Sequence, residues 1–106
     1  MNKKIQDNFE VLRKLHKNPE TSQRELAKQL GFSLGKLNYC LKELREKGYV
    51  KIKNFKNQKS KLSYFMYVIT PKGISERTKL TLDFMKRKMR EYDELKSEIE
   101  KDNENK

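Results

Sequence analysis

The sequence predicts a mainly α fold with a small β-hairpin: three short helices, the hairpin, and one long C-terminal helix. Three observations carry that expectation. Before residue 48, apolar residues recur at helical spacing in three segments, each closed by proline or glycine. From Tyr49 the period drops to two, with Val50 and Ile52 alternating with Lys51 and Lys53 as in a half-buried strand. After Pro71 no further proline occurs, and the helical pattern runs to about Glu100, far beyond the ~11–12 residues of an average helix.

The first helix spans residues 3 to 17, where Ile5, Phe9, Leu12 and Leu15 share a face with Val11 beside them. Asn18-Pro19 closes it, because the residue before proline disfavours helical dihedrals. In "TSQRELAKQLGF", Ser22 and Glu25 predict a capping box, Leu26, Ala27 and Leu30 an apolar face, and Gly31 a left-handed end. Ser33 is placed to cap a third helix with Leu37, Leu41 and Leu44 inward, ended by Gly48. A lysine-bearing strand, the polar turn "NQKS" and the aromatic, β-branched "LSYFMYVIT" predict a hairpin with a basic tip. Thr70-Pro71 then reads as a cap followed by first-turn proline. These elements divide the chain into a unit over 1–73, a long helix over 74–100 and a frayed tail over 101–106.

Composition narrows the function classes. A formal net charge of +11 in 106 residues predicts attraction to polyanions. The charge is uneven: Lys47 to Ser75 holds seven lysines and no acid, while Glu91 to Lys106 holds seven acids against three lysines. No stretch approaches the ~18 apolar residues of a membrane span, and MNKKIQDNFE lacks the apolar core of a signal peptide. The single Cys40 allows no internal disulfide and suits a reducing cytoplasm. With one cysteine and one histidine, His16, the chain has too few ligands for a metal site and no convincing Cys/His catalytic pair. No Gly-rich phosphate loop or G-x-S-x-G motif occurs. The expectation is a soluble, cytoplasmic, non-enzymatic protein with no cofactor and no membrane partner.

Two helices joined by a tight glycine turn make a helix-turn-helix, and a hairpin directly after it makes the unit winged. Such a unit lays its third helix in the major groove and its hairpin along the adjacent backbone, where lysines neutralise phosphates. An acid in the hairpin would be repelled there, which accounts for its absence. "TSQRELAKQLGFSLGKLNYCLKELREKGYV" followed by "ITPKG" resembles the MarR-type winged-helix transcriptional regulators, over about residues 8 to 95. It is most similar to their small branch associated with exopolysaccharide gene clusters. The resemblance implies a bacterial homodimer that regulates transcription, most often as a repressor on a pseudo-palindromic DNA site. It assigns no small-molecule effector, because the chain is shorter than members with a larger helical dimer domain. "NFKNQKSKLSY" also replaces the family's usual aspartate-and-arginine wing.

Candidate DNA contacts follow from the helix faces. Asn38 suits an adenine edge, Lys36 a guanine edge, and Tyr39 or Lys42 a phosphate. Leu34 is open to two readings, a thymine methyl contact or packing against Phe32. Gly35 permits close backbone approach beside the Ser33 cap, and the amide-rich helix start at Thr21 and Ser22 is a seat for phosphate. Lys56, Asn57, Gln58, Lys59, Ser60 and Lys61 form the hairpin tip. Cys40 lies between Leu37 and Leu44, so an inert, inward thiol is expected.

On the long helix Leu82, Met85, Met89, Tyr92 and Ile99 follow a heptad, with Lys96 as its one breach and Leu95 beside it. That seam predicts a dimer coiled coil. An antiparallel pair would set basic "KRKMR" (86–90) against acidic "EIEKDNE" (98–104), whereas a parallel pair would bring Lys88 near Asp93 of the other chain. Charge does not settle the direction, and antiparallel is the preferred reading. Two other functions remain open at this stage: a protein-interaction module using the winged unit and coiled coil, and a basic protein that binds nucleic acid without regard to sequence.

Overall fold

The computed structural model describes residues 2–19, 21–56 and 63–104. In chain order the elements are α1 (Lys3–Lys17), α2 (Gln23–Leu30), α3 (Leu34–Glu46), β1 (Val50–Lys56), β2 (Ser63–Ile69) and α4 (Pro71–Glu104). The two strands pair antiparallel, with Val50 opposite Ile69 and Lys56 opposite Ser63.

One core joins the helices. Val11, Leu12 and Leu15 of α1 meet Leu26 and Ala27 of α2, Leu37, Cys40, Leu41 and Leu44 of α3, and Val50 at the start of β1. The first three helices contribute residues of the stripes their apolar spacing dictates, since residues three and four apart share a face, although Ile5 at the start of α1 is left 41% exposed. Phe32, Tyr49, Tyr67 and Ile69 close the edges of this core. Along β1 burial falls off: Val50 is buried, whereas Ile52 is 37% exposed and lines an open groove with Gln23, Arg45, Met66 and Tyr67.

The helix ends obey local chemistry. Asn2, Ser22 and Ser33 each cap a helix by accepting the amide three residues on, from Ile5, Glu25 and Lys36 respectively. The expected capping box at α2 forms only by half, because the Glu25 carboxylate accepts from Gln29 Nε2 (3.3 Å), one turn along the helix. Gly31 (φ +70°) and Gly48 (φ +79°) both end helices in the left-handed region. After each, an amide reaches back across the turn: Phe32 N to Ala27 O (2.9 Å) and Tyr49 N to Leu44 O (2.9 Å).

The start of α4 is fastened to the start of β1. Thr70 N donates to Tyr49 O (3.0 Å), Thr70 Oγ1 donates to Gly48 O (2.6 Å), and Gly73 N donates to Thr70 Oγ1 (3.0 Å). Gly73 is buried against the Tyr49 carbonyl, and a Cβ there would overlap that backbone. The winged unit is thereby fastened to the first turn of α4, which begins at Pro71 after the Thr70 cap, as the Thr70-Pro71 pair predicts. Residues 101–104, expected to fray, continue the helix, with no proline or glycine to stop it. Further along, Phe84 meets Phe9 with ring centroids 6.1 Å apart, and α4 then leaves the body of the protein. From Met85 to Glu104 every residue is exposed. The result is an elongated molecule, 73 Å in its longest dimension.

Candidate nucleic-acid interface

The α2–Gly31–α3 turn fixes which side of α3 faces out. With Leu37, Cys40, Leu41 and Leu44 inward, Leu34, Gly35, Asn38, Tyr39 and Lys42 are exposed. Asn38, Lys42 and Arg45 follow one another at four- and three-residue steps and form a single polar stripe along the helix. Arg45 was absent from the sequence expectations, although the same spacing counted seven residues on from Asn38 reaches it. Leu34 is 44% exposed, so it remains open to contact from outside.

Lys36 occupies a different flank. Its Nζ lies 3.2 Å from Asp7 Oδ2 and 4.1 Å from the centre of the Phe32 ring. Two residues along a helix is a rotation of about 200°, so Lys36 and Asn38 point to opposite sides. The fold thus separates the two residues expected to read base edges together. A guanine contact by Lys36 would require it to release both Asp7 and Phe32.

That flank is a charge-compensated seam between α1 and α3. Glu43 accepts from Lys47 Nζ (3.2 Å) and Asn8 Nδ2 (3.3 Å) and pairs with Lys4 Nζ (3.2 Å). Burial pushes the Glu43 carboxyl up, but Lys47 and Lys4 outweigh it and hold the pKa below the usual carboxylate value. The Glu43 hydrogen bond and charge in turn raise Lys4 above its ordinary value. Lys4 Nζ also stands 5.9 Å from the centre of the Tyr39 ring, so the exposed phenol and the start of α1 share this edge. The proximity of Lys4 to α3 was not legible in sequence, since it depends on how the two helices pack.

Cys40 sits under the same flank. It is 4% exposed, and burial, with the nearby carboxylate of Asp7, pushes its thiol up despite Lys36. Among the described residues, no cluster of His, Cys, Asp and Glu could hold a metal ion. No described helix is long and apolar enough to cross a membrane.

At the other edge of α3 the hairpin and the start of α2 come together. Met66 and Tyr67 of β2 line one small cavity with Thr21, Ser22, Gln23 and Leu41, and line an open groove with Gln23, Arg45 and Ile52. The half-buried Thr21, the exposed Ser22 cap, Arg45 and the hairpin therefore form one continuous surface beside the α3 stripe. Lys51 and Lys53 lie exposed on β1. The Lys56 side chain and the tip residues Asn57, Gln58, Lys59, Ser60 and Lys61 lie outside what the structure describes.

Three helices, an antiparallel hairpin and a long C-terminal helix in this order decide the fold class. It is a winged helix-turn-helix. A winged helix-turn-helix DNA-binding family matches residues 8–51, from the middle of α1 into β1. No curated protein matches the sequence significantly. Among solved structures, the fold is similar to the PcaV transcriptional regulator from Streptomyces coelicolor, determined in complex with its natural ligand. That likeness has a TM-score of 0.62 at 15% identity, over 74% of this chain and 54% of that one. A MarR protein from Peptoclostridium difficile is similar with a TM-score of 0.58 at 20% identity, over 77% and 51% of the two chains. A "possible transcriptional regulator" from Methanosarcina mazei aligns with a TM-score of 0.50 at 18% identity, over 89% and 78%. The chain spans about half the length of the first two.

A cavity of about 190 Å³ lies between α1, α3 and α4, walled by Leu12, Leu44, Tyr49 and Leu80, with Asn8, Lys47 and Glu76 as polar members. Its volume is below the roughly 300–1,000 Å³ of drug-sized ligand pockets.

Proposed function

We propose that the chain is a DNA-binding transcriptional regulator that acts as a homodimer, a repressor at a pseudo-palindromic site. The observation that carries this reading is the Asn38–Lys42–Arg45 stripe. It stands proud of a capped helix and is flanked by the α2 start and a hairpin whose segment from Lys47 to Ser75 contains no acid. Base-edge donors and acceptors on one helix face, with phosphate partners on either side, are the chemical needs of major-groove reading. The likeness to regulators of the MarR kind supports the same reading. The sequence resemblance to the small exopolysaccharide-associated branch makes exopolysaccharide genes the first promoters to examine.

The test begins with selection of bound sequences from random DNA at a stated salt concentration. Asn38→Ala and Lys59→Ala are then titrated with salt on the selected duplex and on a random one. Loss of a base-edge contact costs about 1–3 kcal/mol on the selected duplex alone, whereas loss of a phosphate contact weakens both duplexes and flattens the salt slope. Asn38→Ala should follow the first pattern and Lys59→Ala the second. Equal losses on both duplexes for the two variants would show sequence-blind binding instead. Absence of binding to either duplex would favour a protein-interaction module.

A further inference from the structure

The distal half of α4 presents an apolar seam that no other described residue covers. Leu82, Met85, Met89, Tyr92, Leu95 and Ile99 are between 52% and 65% exposed. The face of α4 that docks on α1 is a different one. At about 100° per residue, Leu80 and Phe84 lie roughly 160° around the helix from Leu82. A second helix can therefore lie along the seam without displacing α1.

We propose that the occupant is α4 of a second copy, running antiparallel, with Leu82 against Ile99 of the partner subunit and Met89 against Tyr92 of the partner subunit. This rests on the dimeric reading above and adds its direction and register. In this alignment residue numbers facing each other sum to 181, and the layers are Leu82–Ile99, Met85–Lys96 and Met89–Tyr92, each occurring twice. The six layer positions, Leu82, Met85, Met89, Tyr92, Lys96 and Ile99, all find a partner. The two lysines that breach the seam meet flexible methionines rather than one another, and their aliphatic stems can carry their charge to the edge.

The flanking charges agree. Beside an antiparallel seam in this register, Lys86 lies next to the partner's Asp93 and Lys79 next to the partner's Glu100, twice each by symmetry. On the other flank Lys88 meets the partner's Leu95 and Thr81 the partner's Asp102, with no like charges opposed. A shift of one heptad toward the C-terminus would set residues 86–90 against 98–104. It would also bring Asp93 against its own copy and carry Leu82 past the end of the partner's helix. A shift the other way opposes Lys86 to its copy and leaves Ile99 unpaired within the seam. A parallel pair would bury Lys96 against Lys96. Only one arrangement satisfies both the apolar seam and the charges.

The arrangement sets the two winged units at opposite ends of the pair. The two α4 starts would stand 39 residues apart along the axis, about 58 Å at ~1.5 Å per residue. That is nearer two turns of B-DNA than one.

Two measurements on the full chain test the register. In the first, Leu82→Cys and Ile99→Cys chains carrying tags of different size are co-expressed and treated with a short thiol-to-thiol crosslinker. Linked heterodimer should form, approaching the half that random pairing allows. Each variant alone should stay unlinked, because like positions lie about 25 Å apart. Crosslinking of Leu82→Cys alone would overturn the direction. Linkage of Met89→Cys to Ile99→Cys in its place would overturn the register. In the second, Asp93→Lys should weaken dimerisation roughly ten-fold by sedimentation, and adding Lys86→Asp should restore it. A parallel pair would not be restored, because there Lys88 faces Asp93. A parent chain that sediments as a monomer at tens of micromolar would remove the dimer itself. A dimer that passes sedimentation but fails both tests would overturn the register alone.

Discussion

Replacing Gly73 by alanine sets helix propensity directly against packing. Gly73 lies inside α4, where alanine ordinarily favours the helix by about 0.8–1.0 kcal/mol. Its backbone has no positive φ, so conformation alone gives no reason to retain glycine. The added Cβ, however, would overlap the Tyr49 carbonyl oxygen and stand 2.9 Å from its carbon and 2.8 Å from Ile69 Cγ1. Two of those atoms are backbone at the head of β1 and cannot rotate away. Relief requires α4 to lift off the strand by more than an ångström, because the carbonyl oxygen is the tightest of these contacts and ordinary contact begins at 3.4 Å. That movement strains the Thr70 N–Tyr49 O and Thr70 Oγ1–Gly48 O hydrogen bonds. Overpacking costs about 1–3 kcal/mol and each weakened hydrogen bond about 0.5–1.5, so a net loss of roughly 3 kcal/mol remains after the gain in propensity. For a unit of this size that is on the order of 10–20 °C in Tm. Thermal and urea denaturation of Gly73→Ala measure it, with Gly35→Ala as the control. At Gly35 the nearest side-chain atom is Ser33 Oγ at 4.0 Å, so the same methyl enters open space and should be neutral or stabilising. A Gly73→Ala protein as stable as the parent would refute the claim that this close approach anchors α4.

Two further outcomes follow from the α1–α3 seam. The Glu43 pKa is lowered in the folded chain, so its ion pairs contribute in full above the ordinary carboxylate value of about 4.3 and fade as pH falls through the lower folded value. Glu43→Gln should therefore be less stable than the parent at pH 7, and urea midpoints of the two should converge below about pH 4. A gap that persists unchanged at pH 3 would count against the pairing. Cys40, buried and with its thiol pushed up, should react with a thiol reagent far more slowly than free cysteine at pH 8, and at the free rate once urea unfolds the chain. Rapid labelling of the native protein would contradict its placement.

Most of the fold was legible because local signals and packing agree in this chain. Ser22, Ser33, Gly31 and Gly48 state where helices begin and end, and the leucine spacing of α3 states which side is buried. What could not be read depends on neighbours far apart in sequence. Glu25 turned to Gln29, so half a capping box is all the motif guaranteed. Ile52 alternates correctly yet stays exposed, because periodicity gives the face of a strand and not how far the helices beneath it extend. That Asp7 of α1 stands 3.2 Å from Lys36 was equally hidden, because it depends on how α1 packs against α3. The role of Gly73 was likewise invisible, since nothing local distinguishes a tight approach from an ordinary glycine near a helix start.

The ion pairs also change what the net charge of +11 means for a polyanion. Around α3 the basic residues divide into two sets. Lys4, Lys36 and Lys47 each stand 3.2 Å from Asp7 or Glu43, and the field they project is largely cancelled at the distance of a phosphate. Lys42 and Arg45 have no carboxylate partner among the described residues, and both lie on the outward stripe with Asn38. Counterion release counts the cations that meet phosphates, not those already paired within the protein. The salt dependence of binding should therefore reflect Lys42, Arg45 and the hairpin lysines, with Lys36 contributing little, even though composition weights all of them equally. Packing α1 against α3 thus directs the charge: it brings Asp7 to Lys36 and Lys4 to Glu43 on one flank, and leaves Lys42 and Arg45 on the outward stripe without a carboxylate partner among the described residues.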